Sequence, residues 1–377
     1  MKRCPPEQAA RPGQEGVLCL TRFCGTGRIL SVWKRIHKHI VYDGLGEDFV
    51  MDNQMLCQFL EDKPAACKVL VVGDIMLDKY YYGEVTRISG EAPVPITRVH
   101  SSTEKLGGGA NIACNLAVLG VRTGISGFVG DDQHCESMVE KFRRYGIDAS
   151  GLIYTDRPTT TKVRVVSGNQ QMFRLDFEES GAVDGEDAQK FRQYIGQKLN
   201  ESLDCVVISD HDNGACTEKT CAKIIELCHN HGVPVVVDMS GHNWVNYAHA
   251  DYVVANMKRV NQALLQPVEN EDDQVEKAAH YLLRKYRLCN VIVTRSQQGL
   301  SLVGKDVVAH IPTKAQELFD VLGATDSIAA VFALALAGGL NPRHGAYLAN
   351  LAAGRVVMRL GTYAVTREEL QDLLRTP

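Results

Sequence analysis

The sequence predicts an α/β fold: a mainly parallel central sheet covered by helices on both faces, with a small second sheet as a lid. Three observations carry this. Short, fully apolar, β-branched runs alternate with longer amphipathic stretches, the pattern of a sheet buried on both sides. Two other stretches alternate apolar and polar residues one by one, as a sheet exposed on one face does. No internal repeat or low-complexity linker divides the chain.

In order along the chain, Lys68–Gly73 reads as the first central strand and Ala110–Leu119 as a helix. A strand over Thr123–Val129 and a helix over Glu136–Tyr145 follow. Strands are predicted at Cys205–Ser209, Val233–Asp238, Tyr252–Ala255 and Val291–Thr294, with helices at Thr217–His231, Asp272–Tyr286 and Asp326–Ala337. The two-faced stretches are Tyr80–Val99, with turn signals at Gly83 and Gly90-Glu91-Ala92-Pro93, and Thr159–Glu178. They predict lid segments near residues 80–99 and 159–178, over the C-terminal edge of the main sheet, where open α/β sheets bind ligands.

Composition narrows the function. With 377 residues, 45% of them hydrophobic, the chain can bury one large core and a smaller appendage. A formal net charge of -4 gives no basic face for nucleic acid or an anionic membrane, and no apolar run reaches bilayer length. The 12 cysteines form no CxxC pair, and Cys114, Cys205 and Cys289 sit in apolar or helical stretches. They read as reduced core thiols, which places the chain in the cytoplasm. The histidines are isolated: His229 and His231 lie two apart, unlike ligands on one helix face, so zinc is not expected.

Residues 1–50 differ from the rest, mixing Pro, Gly and Arg with the basic run Trp33-Lys34-Arg35-Ile36-His37-Lys38-His39. They read as a disordered extension or a mis-assigned start, with translation beginning at Met51 and the folded body over residues 51–377.

Two motifs carry chemistry. Gly107-Gly108-Gly109-Ala110-Asn111 opens a helix with consecutive glycines, which let backbone N–H groups approach a ligand while Asn111 reaches its hydroxyls; a plain turn would use the same residues. Asp320-Val321-Leu322-Gly323-Ala324-Thr325-Asp326-Ser327 precedes an apolar helix, so its N–H groups and the helix dipole face any anion held there. Asp326 is then either a helix cap or a base.

Together these residues resemble the ribokinase (PfkB) family of carbohydrate kinases, over about Lys68 to Leu374, which implies a ribokinase-like three-layer sandwich. The likeness narrows to the D-glycero-D-manno-heptose-7-phosphate kinases of lipopolysaccharide core synthesis. It is carried by Val71-Val72-Gly73-Asp74-Ile75-Met76-Leu77-Asp78, Arg87-Ile88-Ser89-Gly90-Glu91-Ala92-Pro93-Val94-Pro95, Thr161-Lys162-Val163-Arg164 and Arg174-Leu175-Asp176-Phe177-Glu178. Asn169-Gln170-Gln171, Val293-Thr294-Arg295-Ser296-Gln297-Gln298-Gly299 and Leu360-Gly361-Thr362 add to it.

The resemblance implies phosphoryl transfer from ATP, with Mg²⁺, to the anomeric hydroxyl of a heptose 7-phosphate. Asp326 matches the base, and Gly323, Ala324 and Thr325 match the anion-holding turn. Asp74, Asp78, Gly108, Gly109 and Asn111 match sugar contacts, and Lys162, Arg164 and Arg174 match the substrate phosphate. Asn256, Thr294, Arg295, Gly299 and Asn350 match the nucleotide side. A homodimer is implied as well. No His-x-x-His motif occurs, which leaves adenylylation to a separate nucleotidyltransferase.

The chain departs from the family on the phosphate-donor side. Thr325 stands where the family has glycine, and Asn256-Met257-Lys258-Arg259 stands for Asn-x-x-Glu. Asn213 and Ser240 fill positions where lysines are usual. These changes keep two alternatives open: a catalytically weakened sugar-phosphate binder or regulatory partner, and a kinase for another sugar or a nucleoside.

Overall fold

The computed structural model describes residues 52–168, 170–315 and 319–375. The N-terminal stretch read above as an extension lies outside the described residues. The body opens with helix α1 (Asn53–Asp62), strand β1 (Lys68–Gly73) and the long strands β2 (Ile75–Ile88) and β3 (Pro95–Gly108). Helix α2 (Gly109–Val118), β4 (Arg122–Gly130), α3 (Gln133–Tyr145), β5 (Asp148–Thr155), β6 (Thr161–Ser167) and β7 (Gln170–Phe177) follow. Next come α4 (Gly185–Leu199), β8 (Cys205–Asp210), α5 (Glu218–His231), β9 (Val235–Met239), β10 (Tyr252–Asn256), α6 (Met257–Ala263) and α7 (Asp272–Tyr286). The last elements are β11 (Asn290–Thr294), β12 (Leu300–Gly304), β13 (Val308–Ile311), α8 (Ala324–Ala337), α9 (Pro342–Val356) and α10 (Arg367–Arg375).

The main sheet has nine strands in the order β13-β12-β11-β10-β9-β8-β1-β4-β5. From β11 to β5 every neighbouring pair is parallel, while β12 and β13 form an antiparallel edge. Its central strands are buried along nearly their whole length because Val, Ile and Leu point to both faces, each covered by helices. Helix α8 is apolar on all sides, and Ile328 through Ala335 are buried. Its alanines admit α9 so closely that a Cβ on Gly345 would lie 2.8 Å from the Ala335 Cβ.

The second sheet has the order β3-β2-β6-β7, antiparallel except for the parallel pair β2–β6. It begins within the core, where Leu77, Tyr80 and Leu106 are buried, and runs out to the exposed Ile88, Phe173, Leu175 and Phe177. Among the described residues no helix is long and apolar enough to cross a membrane.

Several predicted boundaries move, each for a local reason. Gly83 is no turn: it sits at a register shift inside β2, where a Cβ would lie 2.5 Å from the Arg98 carbonyl oxygen. Strand β9 starts at Val235 and not Val233, since Pro234 has no N–H for the ladder. Helix α3 starts three residues before Glu136 because Asp132 caps it, accepting from the Cys135 N–H at 2.9 Å. Helix α8 starts at Ala324, which puts Asp326 inside its first turn instead of at its boundary.

Candidate active site

Gly73 ends β1 at φ +124°, and a Cβ there would lie 2.1 Å from the Ser209 carbonyl oxygen. Glycine therefore lets β1 and β8 stay together to their C-terminal ends. From this point β1 leads to β4 on one side and β8 to β9 on the other, the switch point at which open α/β sheets leave a crevice.

Asp74 follows directly and is buried. Its carboxylate accepts the backbone N–H groups of His211 at 2.8 Å, Asn213 at 3.0 Å and Ala215 at 3.1 Å, so it fixes the loop after β8. Burial, reinforced by the nearby Asp210, pushes its pKa up to about 6. The glycine run closes the other wall. A Cβ on Gly107 would lie 2.5 Å from Asp78 Oδ2, and one on Gly108 would lie 3.1 Å from the His211 ring. The Gly109 N–H donates to the Asp74 carbonyl at 2.9 Å, which starts α2 against the end of β1.

Asn111 and Asp326 meet across the crevice. Asn111 Nδ2 donates to Asp326 Oδ2 at 2.7 Å, and both side chains are buried. Burial pushes the Asp326 carboxyl up to about 6, opposed by the Asn111 hydrogen bond. Gly323, at φ +79°, turns the chain into α8, and the N–H groups of Thr325 and Asp326 have no backbone partner among the described residues. A buried carboxylate, which its own backbone N–H also approaches, thus stands beside the Thr325 N–H at the positive end of a helix.

Two more titratable groups enclose this point. Asp238, fully buried at the end of β9, has neither carboxylate oxygen hydrogen-bonded among the described residues. His211 Nε2 lies 3.8 Å from Asp238 Oδ2 and is likewise without a partner. Burial drives both groups toward neutrality, raising Asp238 well above the usual carboxylate range and lowering His211 to about 4. They are therefore not an ion pair. Ligand atoms of His211, Asp238 and Asp326 all lie within 4.8 Å of one another.

The three cations matched to a substrate phosphate sit on the second sheet, each against a carboxylate. Arg164 is buried against Asp78, with its guanidinium 5.3 Å from the Tyr80 ring centroid. Lys162 Nζ is 2.7 Å from Glu178, and Arg174 holds Asp176 through two hydrogen bonds of 2.8 Å. Only Arg174, 48% exposed, presents much of its side chain to solvent.

The residues matched to the nucleotide lie along the β10–β13 edge, and several have internal partners. Arg295 is a correction to that matching. Its guanidinium is 2% exposed and bonded to Asn270, Asp272 and Ser301, so it ties the turn before α7 to β12 and faces no cleft. Gly299 is demanded by packing, since a Cβ there would lie 2.0 Å from the Ile311 carbonyl oxygen. Asn350 donates to the Pro312 carbonyl at 2.8 Å. Thr294 ends β11, half-buried. Asn256 caps α6 by accepting the Arg259 N–H at 3.0 Å, while the Arg259 side chain turns to Gln262 at 3.0 Å.

Sequence reasoning gave no role to Asn115 or Ser327, which extend the Asn111–Asp326 contact. Asn115 donates to the Asn111 carbonyl at 2.9 Å and accepts from the Ser327 hydroxyl at 3.0 Å. The signal was an asparagine within the buried face of an apolar helix, which requires a polar partner. The approach of His211 and Asp238 to Asp326 left no such mark, because it joins three separate stretches.

The model of the pfkB family carbohydrate kinases matches residues 66–369. The bifunctional protein HldE of Shewanella sp. (strain ANA-3) is 40% identical over 308 residues, 81% of this chain and 63% of that protein. This chain therefore spans less than two thirds of that relative. The crystal structure of phosphofructokinase-2 from Escherichia coli in complex with potassium superposes with a TM-score of 0.70 at 17% identity, over 82% of this chain and 98% of that one. Ribokinase of Arabidopsis thaliana complexed with ribose and ATP gives a TM-score of 0.66 at 19% identity, over 82% and 99%. These structures share the ribokinase-like α/β fold, and the chain belongs to the pfkB family of carbohydrate kinases.

Proposed function

We propose that the chain transfers a phosphoryl group from ATP to the anomeric hydroxyl of D-glycero-D-manno-heptose 7-phosphate, with Asp326 as the base. One observation carries this reading: Asp326 is buried at the switch-point crevice, fixed by Asn111, in the first turn of α8. A sugar hydroxyl is a weak nucleophile, and a carboxylate whose pKa is raised to about 6 is a better proton acceptor than an ordinary one. The hydroxyl proton moves to Asp326 as its oxygen attacks. The Thr325 N–H, at the positive end of α8, stabilises the charge that develops on the transferred group. Asp78, oriented by Arg164, and Asn111 meet the sugar, and Arg174 takes its distal phosphate.

ATP supplies the phosphoryl group, and the α8 N-terminus fits its phosphates. The Asn256–Arg259 segment does not fit a magnesium ion: Arg259 brings a cation where a carboxylate is needed, and the Asn256 side-chain oxygen is taken by a backbone N–H. The heptose-type segments of the sequence support the substrate. The exposed Ile88, Phe173 and Leu175 of the second sheet support a homodimer. In this reading the enzyme works in the cytoplasm, and a nucleotidyl transfer follows its reaction.

Arg259 also favours a second reading, a relative that binds the sugar phosphate and turns over poorly. Purified chain with ATP, Mg²⁺ and the heptose 7-phosphate separates the two by ADP release. The kinase reading expects turnover that falls by roughly 10²–10⁴ in Asp326→Asn with little change in KM for ATP. Tight sugar-phosphate binding without ADP release supports the second reading. Turnover confined to another sugar or a nucleoside reassigns the substrate.

A further inference from the structure

The geometry points to a site for one divalent transition cation, of the zinc, cobalt or manganese kind, formed by His211, Asp238 and Asp326. The three ligand atoms converge from the loop after β8, the end of β9 and the first turn of α8, all within 4.8 Å of one another. His211 Nε2 and Asp238 Oδ2 are 3.8 Å apart, too far for a hydrogen bond. Yet Nε2 and both Asp238 oxygens are enclosed without a partner among the described residues. Leaving such atoms enclosed and unsatisfied is unfavourable. A proton on Asp238 would remove its charge but would not bridge these atoms. A cation bound by all three side chains does.

The ligands are also held in place from behind. The His211 N–H donates to Asp74 at 2.8 Å, Asp238 is paired on both sides within the sheet, and Asn111 holds Asp326 at 2.7 Å. One imidazole nitrogen with two carboxylates suits zinc, cobalt or manganese, whereas magnesium favours an all-oxygen shell. Three protein ligands leave a coordination position for water or a substrate oxygen.

If Asp326 is the kinase base, as proposed above, the site has a consequence. A carboxylate bound to the cation is a poor proton acceptor, so transition-metal occupancy and proton abstraction compete at one side chain. The cation then acts as an inhibitor.

The test is a titration of the chelator-stripped full chain with Co²⁺, without nucleotide or sugar, followed by visible absorption. The expected result is one Co²⁺ per chain, displaced by Zn²⁺. Its affinity should fall at least about tenfold in His211→Gln and in Asp238→Asn, each checked for folding by circular dichroism. His242→Gln, altering an exposed histidine paired with Asp212, should bind as the parent does. No Co²⁺ binding by the parent chain, or equal binding in His211→Gln, overturns the site. This arm stands even if the chain phosphorylates no sugar. A second arm addresses competition in a chain that does turn over: Zn²⁺ should inhibit the parent more than His211→Gln at fixed Mg²⁺. Equal inhibition overturns the competition.

Discussion

Asn111 and Asp326 are each the third residue of a helix, and Asn111 Nδ2 to Asp326 Oδ2 spans 2.7 Å between the two first turns. The contact is buried and continues through Asn115 to Ser327, so one polar chain locks α2 to α8 beneath the crevice. Asn111→Ala removes the donor and leaves the carboxylate free to turn. We expect a stability loss of about 1–3 kcal/mol and a kcat reduced at least about tenfold. Denaturant titration and steady-state kinetics measure the two separately. Unchanged kcat would mean that Asp326 needs no orienting partner.

The switch point rests on Gly73. At φ +124°, with the Ser209 carbonyl oxygen 2.1 Å from any added Cβ, no side-chain rotation relieves the clash. Backbone must move, and β1 and β8 would separate where Asp74 and His211 are anchored. Gly73→Ala should cost more than about 2 kcal/mol. A urea midpoint matching the parent chain would refute this.

Much of this fold could be read from the residues, since buried parallel strands announce themselves as apolar runs: Val69–Val72, Val206–Ile208 and Val253–Ala255 are nearly or fully inaccessible. The edges were harder to read. Strand β13 has four residues, three of them only half-buried, and β5 is exposed at alternate positions, so neither resembles the central pattern. At the site, Asp326 stood out because a lone acid heads an apolar helix. The fates of Arg164 and Arg295 did not, because a charged side chain reads alike in sequence whether it faces solvent or a buried partner. Only the fold brings Asp78 to one and Asn270 with Asp272 to the other.

Arg164 and Arg174 therefore separate on substitution. Arg164 is buried with Asp78, and removing it strands a carboxylate in the interior; Arg164→Met should cost roughly 3–5 kcal/mol. Arg174 is 48% exposed, and Arg174→Met should change stability by less than about 1 kcal/mol while raising KM for the sugar phosphate. Thermal unfolding of both variants, with kinetics on the second, checks the contrast. Equal destabilisation by the two would contradict the burial of the first pair.

His229 gives a pH test away from the site. In the last turn of α5 its Nε2 lies 3.1 Å from Asp251 Oδ2, which also accepts the Val235 N–H at 2.8 Å. The Asp251 hydrogen bond raises the His229 pKa above its ordinary value, although partial burial opposes it. A raised folded-state pKa means that the protonated form is preferred in the folded chain. The added stability is complete below the unfolded value of about 6.5 and disappears as pH rises through the folded value. The histidine is 40% exposed, so screening limits the effect to less than about 1 kcal/mol. His229→Gln keeps a neutral donor and removes the charge. The parent should exceed it in denaturant midpoint near about pH 5.5, and the gap should close by about pH 8.5. A gap that widens as pH rises would reverse the sign and rule out the Asp251 pairing as its source.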